Sequence, residues 1–132
     1  MKTKVYSLLL ENTKIGTTDL EKADAPMGVV FGQVKLNEIS SGYNFFKDYC
    51  LKNGIEIRYD FPEEALIVTA DIPALKVLDP NGIEIKGQSI HIEGMDTDSF
   101  EVTILGIPYP FFEAEFPHHV KAYDSQHKSN FE

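Results

Sequence analysis

The chain has 132 residues, 42% hydrophobic and 25% charged, the size and balance of one ordinary domain that can build a core without metal or disulfide staples. Twelve Lys and Arg against twenty-one Asp and Glu leave a formal charge of −9, which repels phosphate backbones, disfavours nucleic acid and attracts a basic protein. No apolar run approaches the roughly 20 residues of a membrane helix, and the sole cysteine, Cys50, has no partner for an internal disulfide.

In chain order, "KVYSLLLE" predicts a strand that is apolar on both faces, through Tyr6, Leu8 and Leu10 and through Val5 and Leu9. The same run reaches Glu11 too early for the apolar core of a signal peptide, so the expectation is a soluble cytoplasmic protein. "ENTK" holds turn formers, and "IGTTDLE" predicts the returning arm of a hairpin. "GVVFGQVKL" predicts the next strand, where Gly28 and Gly32 point to a bulge or a close backbone approach.

"SSGYNFFKDYCLKNG" predicts a helix from about Ser41 to Asn53. Ser40 or Ser41 caps its first turn, Gly54 ends it, and Tyr43, Phe46 and Cys50 form one apolar stripe that Phe45 and Tyr49 widen. After it, "IEIRY", "ALIVTA", "ALKVL", "IEIK", "SIHIEG" and "FEVTILGI" alternate like strands. Pro80, Asn81 and Gly82 turn one pair, and the "GMDTDS" loop turns another. The last residues, "DSQHKSNFE", are expected to fray. The predicted architecture is a single α+β domain over residues 1–132, a mostly antiparallel twisted sheet with one main amphipathic helix packed on it.

The segment "IPYPFFEAEFPHHVKAY" is the most unusual, with three prolines, five aromatics, two glutamates and paired histidines. Pro108 and Pro110 donate no ladder hydrogen bond, so the chain is predicted to leave the sheet at Gly106 or Ile107 as an extended segment. Its aromatics either cover the open end of the sheet or, where exposed beside Glu113 and Glu115, serve as an interface.

Catalytic signatures are absent. Cys50 shares the apolar helical stripe, which hides a thiol, and no G-x-S-x-G, P-loop or G-x-G-x-x-G occurs. Of the histidines His91, His118, His119 and His127, the first alternates with Ile90 and Ile92 and is predicted on a solvent face. His118 and His119, if extended, aim their rings to opposite sides and do not share a metal. Asp96 and Asp98 open like a calcium loop but lack its glycine and terminal glutamate, so they read as a solvated turn. No metal and no cofactor is expected.

"IGTTDLEKADAPMGVVFG" resembles a pattern in small bacterial proteins that show an Ile-Gly step, a Leu-Glu pair, an Asp and a Met-Gly-Val step. The resemblance carries over no activity and no site residues. Asp24 and Pro26 predict a tight connection there, with Asp24 and Met27 as a functional surface in the sharper reading.

The first functional expectation is a non-enzymatic protein-binding module, in its sharpest form an immunity-type protein that neutralises a basic toxin. Its contact residues are then Asp96, Asp98, Tyr109, Phe111, Phe112, Glu113 and Glu115. The alternative is a small enzyme or ligand-binding domain, with a pocket between helix and sheet that uses His118 or His119 with a carboxylate.

Overall fold

A computed structural model describes residues 4–128, with side chains through Gln126. The alternating runs become β1 (Tyr6–Leu10), β2 (Thr13–Thr18), β3 (Lys22–Asp24), β4 (Val29–Leu36), β5 (Ile57–Phe61), β6 (Leu66–Thr69), β7 (Leu75–Leu78), β8 (Ser89–Met95) and β9 (Phe100–Leu105). All pair antiparallel in one sheet of order β5-β6-β8-β9-β4-β2-β1-β7, with β3 paired to β4 on the edge that also meets β2. Three helices complete the described chain: α1 (Gly42–Asn53), α2 (Phe111–Glu115) and α3 (Pro117–Lys128). The class is α+β, as the alternation predicts, and none of these helices is long and apolar enough to cross a membrane.

Period two places one face of each strand in a common core. Tyr6, Leu8 and Leu10 of β1, Val30 and Val34 of β4, Ile90 and Ile92 of β8 and Phe100, Val102 and Ile104 of β9 all belong to it. The other face of β1 is only half covered, and Val5 is 52% exposed, so the strand is less enclosed than its composition predicts. Gly32 explains itself in this packing. A Cβ there would stand 2.6 Å from Thr18 Oγ1 and 2.8 Å from Leu20 Cα, where the chain crosses from β2 to β3. Gly28 has φ +65° and accepts from the Ile107 amide through its carbonyl at 2.8 Å, the close approach its position suggests.

The predicted helix forms between its predicted caps. Ser41 Oγ accepts from the Asn44 amide at 3.1 Å, and Gly54 closes the end in the left-handed conformation. Tyr43, Phe46 and Cys50 are buried, and the helix lies over β6 and β8 with the Phe46 ring 5.9 Å from Phe100. Burial pushes the Cys50 thiol above its ordinary pKa, which keeps it protonated and unreactive.

Two expectations are corrected. "IEIK" alternates but forms no strand: Leu78 and Glu84 make one isolated bridge. The carboxylate of Asp79 accepts from the Asn81 and Ile83 amides at 2.8 and 2.9 Å, drawing the chain into a local turn in place of a ladder. From Phe111 the segment is helical, not extended, with a break at Phe116 between α2 and α3. Pro110 stands just before α2 and Pro117 begins α3, positions where a missing N–H breaks no helical bond. Residues Asp124–Lys128 continue α3, and 129–132, the rest of the run expected to fray, lie outside the described residues.

Candidate partner-binding surface

The Tyr109–Phe116 segment turns most of its aromatic surface inward. Phe112 and Phe116 are fully buried with centroids 5.2 Å apart, and Phe116 packs on Tyr6 at 6.0 Å. Glu115 accepts from the Tyr6 hydroxyl and from Lys4 Nζ, both at 2.8 Å, and Lys4 also lies 3.9 Å from Asp79. Burial first, and then the Glu115 carboxylate, raise the Tyr6 phenol far above its ordinary pKa. Phe112 and Glu115 therefore pin α2 to the core, Phe112 with no exposed surface and Glu115 partly buried; Phe111 is half buried. Tyr109, 48% exposed, stacks on Phe112 and donates to the Ala25 carbonyl at 2.8 Å, and Glu113 is exposed beside it.

Asp96 and Asp98 are exposed in the turn between β8 and β9. They differ in duty. Asp96 accepts from the Ser41 hydroxyl and from the Tyr43 amide at 2.9 Å, so it supports the first turn of α1. Among the described residues, none bonds to the Asp98 carboxylate. Both line a groove of about 690 Å³ with Asp19, Glu21 and a single lysine, Lys35. Glu21 is held there because it accepts from the Gln33 amide at 2.9 Å. The groove does not reach the Tyr109–Glu115 segment. That segment follows the far end of β9, a strand about 20 Å long at the usual rise per residue.

A different pair of aromatics neighbours the acidic groove. Tyr59 and Phe61 on β5 are 59% and 48% exposed and stack with planes 7° apart. Phe61 pairs with Leu66, and Leu66 with Met95, which lines the groove. Two strand spacings, about 10 Å, thus separate the backbone of Phe61 from that of Met95. Exposed Glu63 and Glu64 sit in the turn joining β5 to β6, and the Asp96 amide donates to the Ala65 carbonyl beside them at 3.1 Å. Between the rings Asp60 points the other way, accepting from the Tyr43 hydroxyl and pairing with Lys47 at 3.0 Å. The Tyr43 hydrogen bond, then Lys47, hold the Asp60 carboxyl below its ordinary pKa.

Sequence reading missed Tyr59, Phe61, Asp19, Glu21, Glu63 and Glu64. One signal was present in "RYDFPEE". Tyr59 and Phe61 share a face, and a proline directly after a strand favours an edge position.

The histidines form no such assembly. His118 and His119 sit on α3, about 100° apart around its axis, so their rings lie 4.2 Å apart instead of pointing to opposite sides. His119 Nε2 is 2.8 Å from the Leu20 carbonyl, and burial, then His119, lower the His118 pKa. His91 is half buried on the outer face, its pKa lowered chiefly by burial, in a shallow groove of about 600 Å³ with Asp24, Glu93 and Glu101. His127 falls within α3, but its side chain lies outside the described residues. Met27 is 67% exposed on the short 3-10 turn Ala25–Met27 that follows Asp24. Among the described residues, no three His, Cys, Asp or Glu side chains are grouped to hold a metal.

No family model, no curated protein and no solved structure matches the chain. Function must therefore be argued from this geometry.

Proposed function

We propose that the protein is a non-enzymatic binding module for a basic protein partner, with neutralisation of a basic toxin as the sharpest form. One observation carries the reading. Asp19, Glu21, Asp96 and Asp98, brought from two separate connections, line one groove with a single lysine, and Glu63 and Glu64 stand on the adjoining turn. Carboxylates gathered along one groove give a cationic partner a complementary surface. The formal charge of −9 adds a long-range attraction that speeds encounter with such a partner.

The pocket-enzyme reading gains less support. The acidic groove contains no histidine, and the groove that contains His91 includes neither His118 nor His119. The test is capture of binding proteins by the immobilised chain at two salt concentrations, followed by kinetics with the protein identified. A basic partner should associate several-fold more slowly with an Asp19→Asn, Glu21→Gln, Asp98→Asn variant and show a weaker salt dependence. A partner that is acidic, or unaffected by the three neutralisations, rejects the reading.

A further inference from the structure

We propose that the open edge of β5 pairs with an extended basic segment of the partner, which joins the sheet as an additional strand. The inference rests on the basic-partner reading and states how that partner docks.

The two ends of the sheet are finished differently. At β7, residues 79–85 fold back along the strand: the Ile85 amide donates to Val77 and the Asp79 amide to Ile83, both at 2.8 Å. At β5 there is no such cover. It pairs with β6 alone, and among the described residues no backbone hydrogen bond from outside the sheet reaches Ile57–Phe61. Open edges present unpaired N–H and C=O groups, and sheets normally blunt them. Here the irregularity between Ile57 and Tyr59 and the proline at 62 bound the strand, leaving Tyr59, Asp60 and Phe61 in regular register with Val68, Ile67 and Leu66. Such a short stretch suits strand addition by a peptide.

The side chains specify the chemistry of the incoming strand. Tyr59 and Phe61 are two apart, so they share the outer face, and a directly opposed residue on an added strand comes within about 5 Å. Lysine or arginine at alternate positions would lie over these rings and gain cation–π attraction. Around the edge, exposed Glu56, Glu63 and Glu64 stand against one exposed cation on the strand, Arg58. The same charges argue against a second copy. Two antiparallel β5 strands would set Glu63 and Glu64 of each molecule toward Glu56 of the other, between chains that each carry −9.

The probe is an acetylated, amidated seven-residue peptide of alternating lysine and threonine, titrated into the full chain at low and moderate salt. A second peptide of equal charge carries N-methyl groups on every backbone amide, so neither of its edges can donate to a sheet. Peptide binding should slow amide exchange within Tyr59–Phe61, and methylation of every amide should weaken binding about ten-fold, as expected for two or so lost hydrogen bonds. A Tyr59→Ala, Phe61→Ala chain, shown folded by its amide spectrum, should also bind more weakly. Equal affinity for the two peptides, with exchange at β5 unchanged, reduces the contact to charge alone. That result overturns the edge pairing and leaves the basic-partner reading in place. Absence of binding by either peptide at low salt removes both. Slowed exchange at β5 that grows with protein concentration without peptide assigns the edge to a second copy and overturns the proposal.

Discussion

Tyr109–Phe116 and Tyr59–Phe61 are both aromatic runs interrupted by acids, yet one builds the core and the other faces water. In the first, Phe112 and Phe116 are four residues apart on one helical side, and Tyr6 lies beneath them. In the second, the rings are two residues apart on a strand whose inward position, Asp60, is committed to Tyr43 and Lys47. Exposure is thus decided by which face has a neighbour to cover it. Composition did not distinguish the two segments; periodicity and position in the sheet did.

The sharpest break of this comparison is truncation on the buried side. Phe116→Ala should cost about 3–5 kcal/mol, the usual loss for a fully buried phenylalanine, and Phe46→Ala under α1 should cost as much. Denaturant unfolding of either variant with a midpoint near that of the parent protein would show that the segment is not part of the core.

A smaller effect follows from the polar anchor of the same segment. Tyr6→Phe removes the hydroxyl that donates to Glu115 and should cost about 1–2 kcal/mol at neutral pH. The pH dependence has a definite sign. The Tyr6 phenol is raised in the folded state by burial and Glu115, so the unfolded chain loses that proton first, near pH 10. Stability is complete below about pH 10 and falls above it. Tyr49, raised to about 12 by burial and by its hydrogen bond to Glu11, adds to the same decline. In Tyr6→Phe the alkaline decline should become shallower; an unchanged slope would mean that Tyr6 contributes nothing to it.

Within the acidic turn the comparison sharpens to two neighbours. Asp96→Ala deprives the Tyr43 amide and Ser41 hydroxyl of their acceptor and should cost about 1 kcal/mol. Asp98→Ala should change stability by less than about 0.5 kcal/mol, as for an ordinary surface position. Equal thermal shifts for the two variants would contradict this division of labour.

Legibility follows the range of the interactions. α1 was readable because its caps at Ser41 and Gly54 and its stripe of Tyr43, Phe46 and Cys50 are all local. The β1–β2 hairpin was readable for the same reason, with its turn at Glu11 and Asn12 in positive φ. α2 escaped because its five residues, flanked by prolines at 110 and 117, are too few to show a helical period, and its inward rings depend on distant Tyr6. "IEIK" misled because Asp79 satisfies locally the amides a ladder would use. Of the candidate surface, Asp96 and Asp98 were visible as turn acids. Their union with Asp19 and Glu21 was not, because it depends on the register Thr18–Val34–Phe100 across three strands.

The exposed side should behave differently from the buried one. Tyr59→Ala with Phe61→Ala removes two rings that face solvent and leaves the inward Asp60 contacts untouched, so unfolding should shift by about 1 kcal/mol or less. Binding should respond differently. Rim charges act mainly on encounter, whereas rings covered by a partner act on persistence, so the double variant should retain the association rate of the parent and dissociate faster. Neutralising Asp19, Glu21 and Asp98 should do the reverse. Stopped-flow kinetics at two salt concentrations separate the two effects with a single partner. If the ring variant instead unfolds as readily as Phe116→Ala, Tyr59 and Phe61 belong to the core after all, and the two aromatic runs cease to differ.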